Sequence, residues 1–469
     1  MKGLGRFVML RRLATLVALQ VASCGFGLAS SAQWIEARSE HFRVLTDSNE
    51  KQARHILDEF ERMRWTFHTL FPNADIDPVE PIFVVAARNK KSFQAIEPAA
   101  YLASGQLKVF GLFMRVYDKD YVLLRLDTEF AHPFASIYHE YTHLQFSQDA
   151  EWMPLWLNEG LAEFFQNTEV RNKDVWLGGP STDNILYLRQ NSLIPLPILF
   201  KVDRNSPYYH QEQKGSIFYS ESWALTHYLE MADREKSTHH LDDYLRRVSR
   251  HEDPVIAAER AFGDLQQLQE VLKSYVRAGD FEQFLLSSAA APIDESAYRV
   301  RTLTQSESDA IRADVLIGVQ REAEGRALLE VVLKADPKNT QAYETMGALE
   351  YRAGHPEAAL KWYGDALQFS SDNYFAYFNF ANLAMSEGIG WDDPKIEAAL
   401  RMAIELNPRF YPASEFLATL LSSLNRDGDA IAVMRNAQRA AARPLDAEKA
   451  AARIARLEQA QAERKDAVR

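Results

Sequence analysis

His139, Glu140 and His143 are the residues of this chain whose types and spacing do chemistry together, within Ser136-Ile137-Tyr138-His139-Glu140-Tyr141-Thr142-His143. On a helix, positions i and i+4 lie one above the other, about 5–6 Å apart at their Cβ atoms, so both imidazoles reach one metal ion. Glu140 falls in the adjoining sector. A carboxylate there takes a proton from metal-activated water and passes it to a leaving amine, which is what amide hydrolysis requires. H-E-x-x-H on a helix therefore points to a zinc hydrolase.

A catalytic zinc has three protein ligands and one open position, so two histidines call for a third donor. Downstream lies Pro154-Leu155-Trp156-Leu157-Asn158-Glu159-Gly160-Leu161-Ala162-Glu163-Phe164-Phe165. Leu155, Leu161, Ala162, Phe164 and Phe165 stand at core spacing for a second amphipathic helix, and Glu159 on it is the candidate third ligand. Glu163 lies one turn further along. Its expected part is to hold the N–H of a ligand histidine, since ligand imidazoles are nearly always oriented by such an acceptor. The alternative for both carboxylates is a solvated helix face.

H-E-x-x-H followed by W-L-N-E-G-x-A resembles the gluzincin metallopeptidases, and more narrowly the peptidase-MA-like proteins, secreted bacterial gluzincins that often carry tetratricopeptide (TPR) repeats. The resemblance implies Zn2+ on His139, His143 and Glu159, with Glu140 as base. It implies one residue more. The run from Phe218 to Leu229 resembles the segment in which aminopeptidase-type gluzincins place the tyrosine that stabilises the oxyanion, and Tyr219 matches that position. A phenol aimed at developing negative charge suits that task; the alternative is a core tyrosine. The Lys-Gly that usually follows is Glu221-Ser222 here, the spacer between His143 and Glu159 is shorter than in the aminopeptidases, and no Gly-x-Met-Glu-Asn segment precedes His139. An endopeptidase or an uncharacterised hydrolase is expected rather than an aminopeptidase.

Other elements must position these residues. Pro133 fits a helix start, and Phe134, Ile137, Tyr138, Tyr141 and Leu144 would bury the zinc helix. Upstream, residues 41–46 alternate as a strand, and Ser48 is expected to cap a helix over residues 50–71. Residues 81–86, 109–114 and 121–127 read as strands, the last two joined by a turn at 117–120. The resemblance makes 121–127 an edge strand able to pair with an extended substrate; the alternative is an ordinary internal strand. Beyond the second helix, 169–177 reads as a strand and 195–213 as a loop bordering the cleft, where Tyr208, Tyr209 and His210 are candidate substrate contacts or packed aromatics. Helices are expected over 224–231, 240–248 and 265–278, then a connection over 292–303.

Residues 1–32 read as a secretion signal. Lys2, Arg6, Arg11 and Arg12 precede an apolar run over 13–28, and Ser30-Ser31-Ala32 offers a cleavage site. The rival is a lipobox at Val21-Ala22-Ser23-Cys24, which would anchor the protein to a membrane through a lipidated Cys24. In either case the expected location is the bacterial envelope or beyond. Cys24 is the only cysteine, so the mature protein has neither disulfides nor thiolate ligands. The formal charge is −12, and loss of the four basic residues of 1–32 deepens it to −16. No basic run appears along the chain, which argues against nucleic acid as a partner.

From about residue 304 the chain repeats. Ala342 and Ala376, Gly347 and Ala381, Gly354 and Gly388, and Leu333 and Leu367 are each 34 residues apart. That period, with small residues where helices touch, resembles the TPR repeat. An insertion at 389–393 shifts the next matching alanine to Ala413. The run Tyr374-Phe375-Ala376-Tyr377-Phe378-Asn379-Phe380 divides its aromatics between core and a binding surface.

The expected architecture is an α+β zincin-like (gluzincin) catalytic domain followed by an all-α TPR solenoid. Its parts are an N-terminal α/β subdomain (33–130), a helical catalytic subdomain (131–300), repeats (304–443) and a capping helix (444–469). The expected function is a secreted zinc endopeptidase acting on a peptide or protein substrate, with a protein partner in the repeat groove. The alternative is a non-catalytic envelope scaffold.

Overall fold

The computed structural model describes residues 33–71, 80–102, 111–116, 119–127, 134–146, 153–171, 174–209, 217–288, 291–441 and 443–468. The leader with its lipobox, Pro133, His210 and the first half of the 117–120 turn lie outside the described residues.

The N-terminal part runs β1 (Ile35–Arg38), β2 (Phe42–Thr46), α1 (Glu50–Leu70), β3 (Ile82–Ala87), α2 (Lys90–Gln94), α3 (Ala99–Leu102), β4 (Gly111–Val116) and β5 (Lys119–Arg125). The middle part follows with α4 (Ala135–Phe146), α5 (Leu155–Phe165), β6 (Glu169–Arg171), β7 (Asp174–Leu177), α6 (Thr182–Gln190), α7 (Leu196–Leu199), α8 (Ile217–Lys236), α9 (His240–Val248), α10 (Pro254–Phe262), α11 (Leu265–Ala278), β8 (Phe284–Ser287) and β9 (Arg299–Thr302). Helical hairpins complete the chain: α12 (Gln305–Gly318) with α13 (Glu322–Ala335), α14 (Thr340–Arg352) with α15 (Pro356–Gln368), α16 (Tyr374–Ser386) with α17 (Pro394–Leu406), and α18 (Tyr411–Ser423) with α19 (Asp427–Ala440). The single helix α20 (Pro444–Val468) closes the stack. Among the described residues no helix is long and apolar enough to cross a membrane.

Six strands form one sheet in the order β4-β5-β3-β2-β1-β9. Its centre, β2-β3-β5, is parallel, and its flanks are antiparallel. Side chains alternate across a strand, so successive residues feed two cores. Val44, Val84, Val122 and Leu124 face α1, α4 and α5, while Leu45, Phe83, Val85, Tyr121 and Leu123 face α2 and α12. The zinc-motif helix and the first repeat therefore cover opposite faces of one sheet. On the repeat side the buried Asp314 accepts from Tyr121 Oη at 2.5 Å and from Thr345 Oγ1 at 3.3 Å, fastening α12 and α14 to β5.

Several expectations change in three dimensions. Asn49, not Ser48, caps α1, its Oδ1 accepting from the Gln52 N–H. The strand over 121–127 is not an edge: β5 is paired on both sides, and β4 is the outer strand, running beside α4. The stretch 169–177 is a hairpin, β6–β7, joined by β8 in a second sheet. The connection over 292–303 contains β9, where Arg299, 261 residues beyond Arg38, returns to pair with β1. In Arg-Val-Arg-Thr only one residue is apolar, so no strand pattern announces it.

The C-terminal region is a helical solenoid. Ala342, Ala376, Ala381 and Ala413 are fully buried, and at Gly347 a Cβ would stand 3.0 Å from the Tyr363 ring, so the small positions of the period are the helix contacts. Gly354 and Gly388 take positive φ, +77° and +82°, at the turn between the helices of their hairpins. That backbone conformation favours glycine.

Candidate metal centre

Phe67 of α1 organises the helices that carry the site. Its ring meets Tyr141 of α4 at 5.8 Å and Phe165 of α5 at 4.6 Å between centroids, and Phe60 packs on Tyr141 from the preceding turns. Tyr138 is buried and donates to Glu59 Oε2 of α1, a carboxyl that burial raises to about 7. On the far side of α5, Gly160 meets α8. A Cβ there would lie 2.2 Å from Thr226 Oγ1 and 2.6 Å from the Ser222 carbonyl oxygen. Glycine thus permits the close crossing that brings Tyr219 towards Glu159.

With α4 and α5 held this way, three ligand-type atoms converge. His139 Nε2 and His143 Nε2 are 3.1 Å apart, and Glu159 Oε2 is 3.6 Å from the first and 3.4 Å from the second. Four-coordinate donors about 2.0–2.1 Å from one ion are separated by roughly 3.3 Å, so the spacing suits a shared cation. Among the described residues, His139, His143 and Glu159 form the one cluster of this kind.

The outer nitrogens support the same arrangement. His143 Nδ1 donates to Asn158 Oδ1 at 2.6 Å, and His139 Nδ1 lies 3.6 Å from Glu163 Oε1. With protons on Nδ1, both Nε2 atoms present lone pairs to one another and to the buried Glu159 carboxylate. Three such atoms repel unless a cation lies between them. Two imidazoles and one carboxylate are donors that zinc and other divalent transition metals accept. Burial by itself would lower the His143 pKa, but the hydrogen bond and charge of Glu159, with the charge of Glu140 and the Asn158 contact, carry it above the ordinary imidazole value.

Glu140 is half-buried on α4 and close enough for its charge to act on His143. Tyr219 lies at the other side. Burial first, then the charge of Glu159 and contact with Tyr209, raise its pKa above the ordinary phenol value, so it stays a proton donor. Tyr209 hydrogen-bonds to both Tyr219 and Glu159, linking the phenol to the candidate third ligand. Glu163 is held in turn, its Oε2 accepting from Gln166 at 2.6 Å and from Asn184 at 3.0 Å, while Asn184 Oδ1 accepts from Ser220 Oγ.

Residues 134–255 match one family model. Its description is "Protein of unknown function (DUF1570)", and the matched span holds every residue of the site. No curated protein matches the chain. Among solved structures, the chain is similar to "YrrB: a TPR protein with an unusual peptide-binding site", with TM-score 0.26 and 17% identity over 29% of this chain and 69% of that one. It is also similar to MamA protein, with TM-score 0.24 and 19% identity over 29% of this chain and 76% of that one. A second MamA structure gives TM-score 0.22 and 17% identity over 35% and 98%.

The structure thus brings together His139, Glu140, His143, Glu159, Glu163 and Tyr219, and adds Tyr209 from the 195–213 segment. Sequence reasoning missed Asn158 and Asn184. Asn158 adjoins Glu159, so a third polar side chain beside Glu159 and Glu163 on a helix otherwise built of apolar residues was a usable signal. Asn184 lies on α6, where no expected element pointed to it.

Proposed function

We infer that this chain is an exported zinc metallopeptidase of the gluzincin type, an endopeptidase acting on peptide or protein substrates, with TPR-type repeats that bind polypeptide. The observation that carries this reading is the convergence of His139 Nε2, His143 Nε2 and Glu159 Oε2 beside the Glu140 carboxylate.

Zinc, when bound, supplies Lewis acidity toward water and the substrate carbonyl oxygen. The chain's own residues do the rest. Glu140 accepts a proton from the attacking water and returns it to the leaving amine. Tyr219 keeps its proton at neutral pH and donates a hydrogen bond to the oxygen that gains charge. Asn158 and Glu163 fix both imidazoles with Nε2 facing inward. The outer strand β4, beside α4, offers backbone groups to an extended substrate. The absence of a Gly-x-Met-Glu-Asn segment favours internal cleavage.

The test is metal content and casein cleavage for the mature protein, Glu140→Gln and His143→Ala. One zinc per chain, kept in Glu140→Gln and lost in His143→Ala, with cleavage by the parent alone, is the expected result. Equal cleavage by Glu140→Gln would overturn the mechanism. Stoichiometric zinc without cleavage of any protein substrate would favour the scaffold reading.

A further inference from the structure

Among the described residues the outer strand β4 is hydrogen-bonded along one side, to β5. Its position therefore depends on what packs against its two faces. Phe113 joins the core that contains Ile137 of the zinc-motif helix, while Leu112, Met114 and Val116 pack with Ile311, Val315 and Val319, in and just beyond α12. β4 thus lies between α4 and the first repeat, and a push from one of them moves it toward the other.

Gly318, the last residue of α12, lies directly on this strand. A Cβ there would stand 2.7 Å from Val116 Cγ2 and 3.2 Å from Met114 Cε. Carbon atoms in contact sit about 3.5–4.0 Å apart. Met114 is flexible enough to swing aside, but Val116 is buried and branched at Cβ, so its methyl groups have nowhere to turn.

α12 has little room to retreat. Tyr121 of β5 holds it through Asp314 at 2.5 Å, and just past its end Arg321 Nη1 donates to the Gln94 and Glu97 carbonyl oxygens at 3.1 Å each. Its crossing with α13 is equally close, since a Cβ at Gly325 would stand 2.8 Å from the Ala313 carbonyl oxygen. With α12 tied to β5, α2 and α13, and β4 held by one ladder, a side chain at 318 displaces the strand and not the helix.

We propose that Gly318 is a positioning residue for the substrate strand: by letting α12 lie directly on Val116, it sets where β4 stands beside α4 and how its outer backbone groups meet an extended polypeptide. This assignment rests on the reading of β4 as the strand that takes substrate. It makes the first repeat a support of the cleft from the sheet face opposite the metal residues.

Amide exchange over residues 111–116 tests it, measured with and without casein in the mature Glu140→Gln protein, from which the catalytic base has been removed. Casein is expected to slow exchange in this segment. Gly318→Ala in the same background should need about tenfold more casein for equal protection, a loss within the range that overpacking costs. Adding Val116→Ala, which removes the methyl that the new Cβ would meet, should restore it. Gly347→Ala, which crowds Tyr363 in the next hairpin, should lower Tm and leave protection at 111–116 unchanged. With Glu140 present, Gly318→Ala should raise KM by a similar factor while kcat and zinc content hold, the signature of lost ground-state binding. Equal protection with and without Gly318→Ala, or no recovery on adding Val116→Ala, would overturn the positioning role. Absence of casein protection at 111–116 would overturn it too, by removing β4 from substrate binding. Protection by casein without cleavage by the parent would sink the peptidase reading and leave the positioning of β4 standing.

Discussion

Glu163 Oε1 lies 3.6 Å from His139 Nδ1, so the carboxylate one turn beyond the candidate third ligand Glu159 stands beside the outer nitrogen of the first candidate ligand. Its other oxygen is held by Gln166 and Asn184, which ties the histidine to α6 through a single acceptor. Removal of such an outer partner typically costs about 10–100-fold in metal affinity. Glu163→Ala is expected to fall in that range, and Asn184→Ala to lose less. Zinc titration against a chromophoric chelator checks both, and unchanged affinity in Glu163→Ala would remove Glu163 from the centre.

On the proposed mechanism, Tyr219 and Tyr209 divide one task in a way that kinetics separates. Tyr219→Phe removes the donor to the developing oxyanion and is expected to lower kcat by about 10²–10³, with KM little changed. Tyr209→Phe removes the link between Tyr219 and Glu159 and should cost less in kcat. A larger loss for Tyr209→Phe would reverse the assignment.

Gly160→Ala tests the helix crossing. The added Cβ would meet a backbone oxygen, Ser222 O, at 2.6 Å, so α5 and α8 must separate. Overpacking of this kind costs about 1–3 kcal/mol. A lower Tm is expected, together with weaker zinc binding, because Glu159 adjoins the displaced residue. Thr226→Ala should not restore stability, since the backbone contact persists.

Glu221 carries a pH dependence that does not involve the metal residues. It is fully buried on α8, its Oε2 accepts from the Ile194 N–H at 2.6 Å, and its Oε1 has no partner. Burial raises its pKa from the ordinary 4.5 to about 8. Between those values the folded protein holds a proton that the unfolded chain has lost, so stability falls as pH rises and levels off above about 8. The change is on the order of a few kcal/mol over the interval. Glu221→Gln should flatten this part of the profile and raise the unfolding free energy at pH 8, as urea unfolding at several pH values would report.

The features legible in the sequence are those that one helix or one repeat settles by itself. Covalent helix geometry puts His139 and His143 on one face whatever surrounds them, and it sets Glu163 one turn from Glu159. A 34-residue period marks buried contacts because each hairpin meets only its neighbours, and Ala342, Ala376 and Ala413 are buried as that period requires. Pairing between strands was far less legible. Which strand lies at the sheet edge depends on partners distant in the chain, so β4 rather than β5 became the edge, and the poorly patterned 299–302 segment found its place only against β1.

The sequence alone therefore determined the candidate donors' helical spacing and the repeat architecture, both consequences of local geometry. Tertiary packing decided that Glu159 and Tyr209 meet beside the histidines, that Asn158 and Glu163 take separate imidazoles, and that the repeats cover the sheet face opposite the zinc-motif helix. It also gathered Arg38, Arg43 and Arg301 from β1, β2 and β9 around one buried carboxylate, Glu36, across a separation that no local pattern encodes.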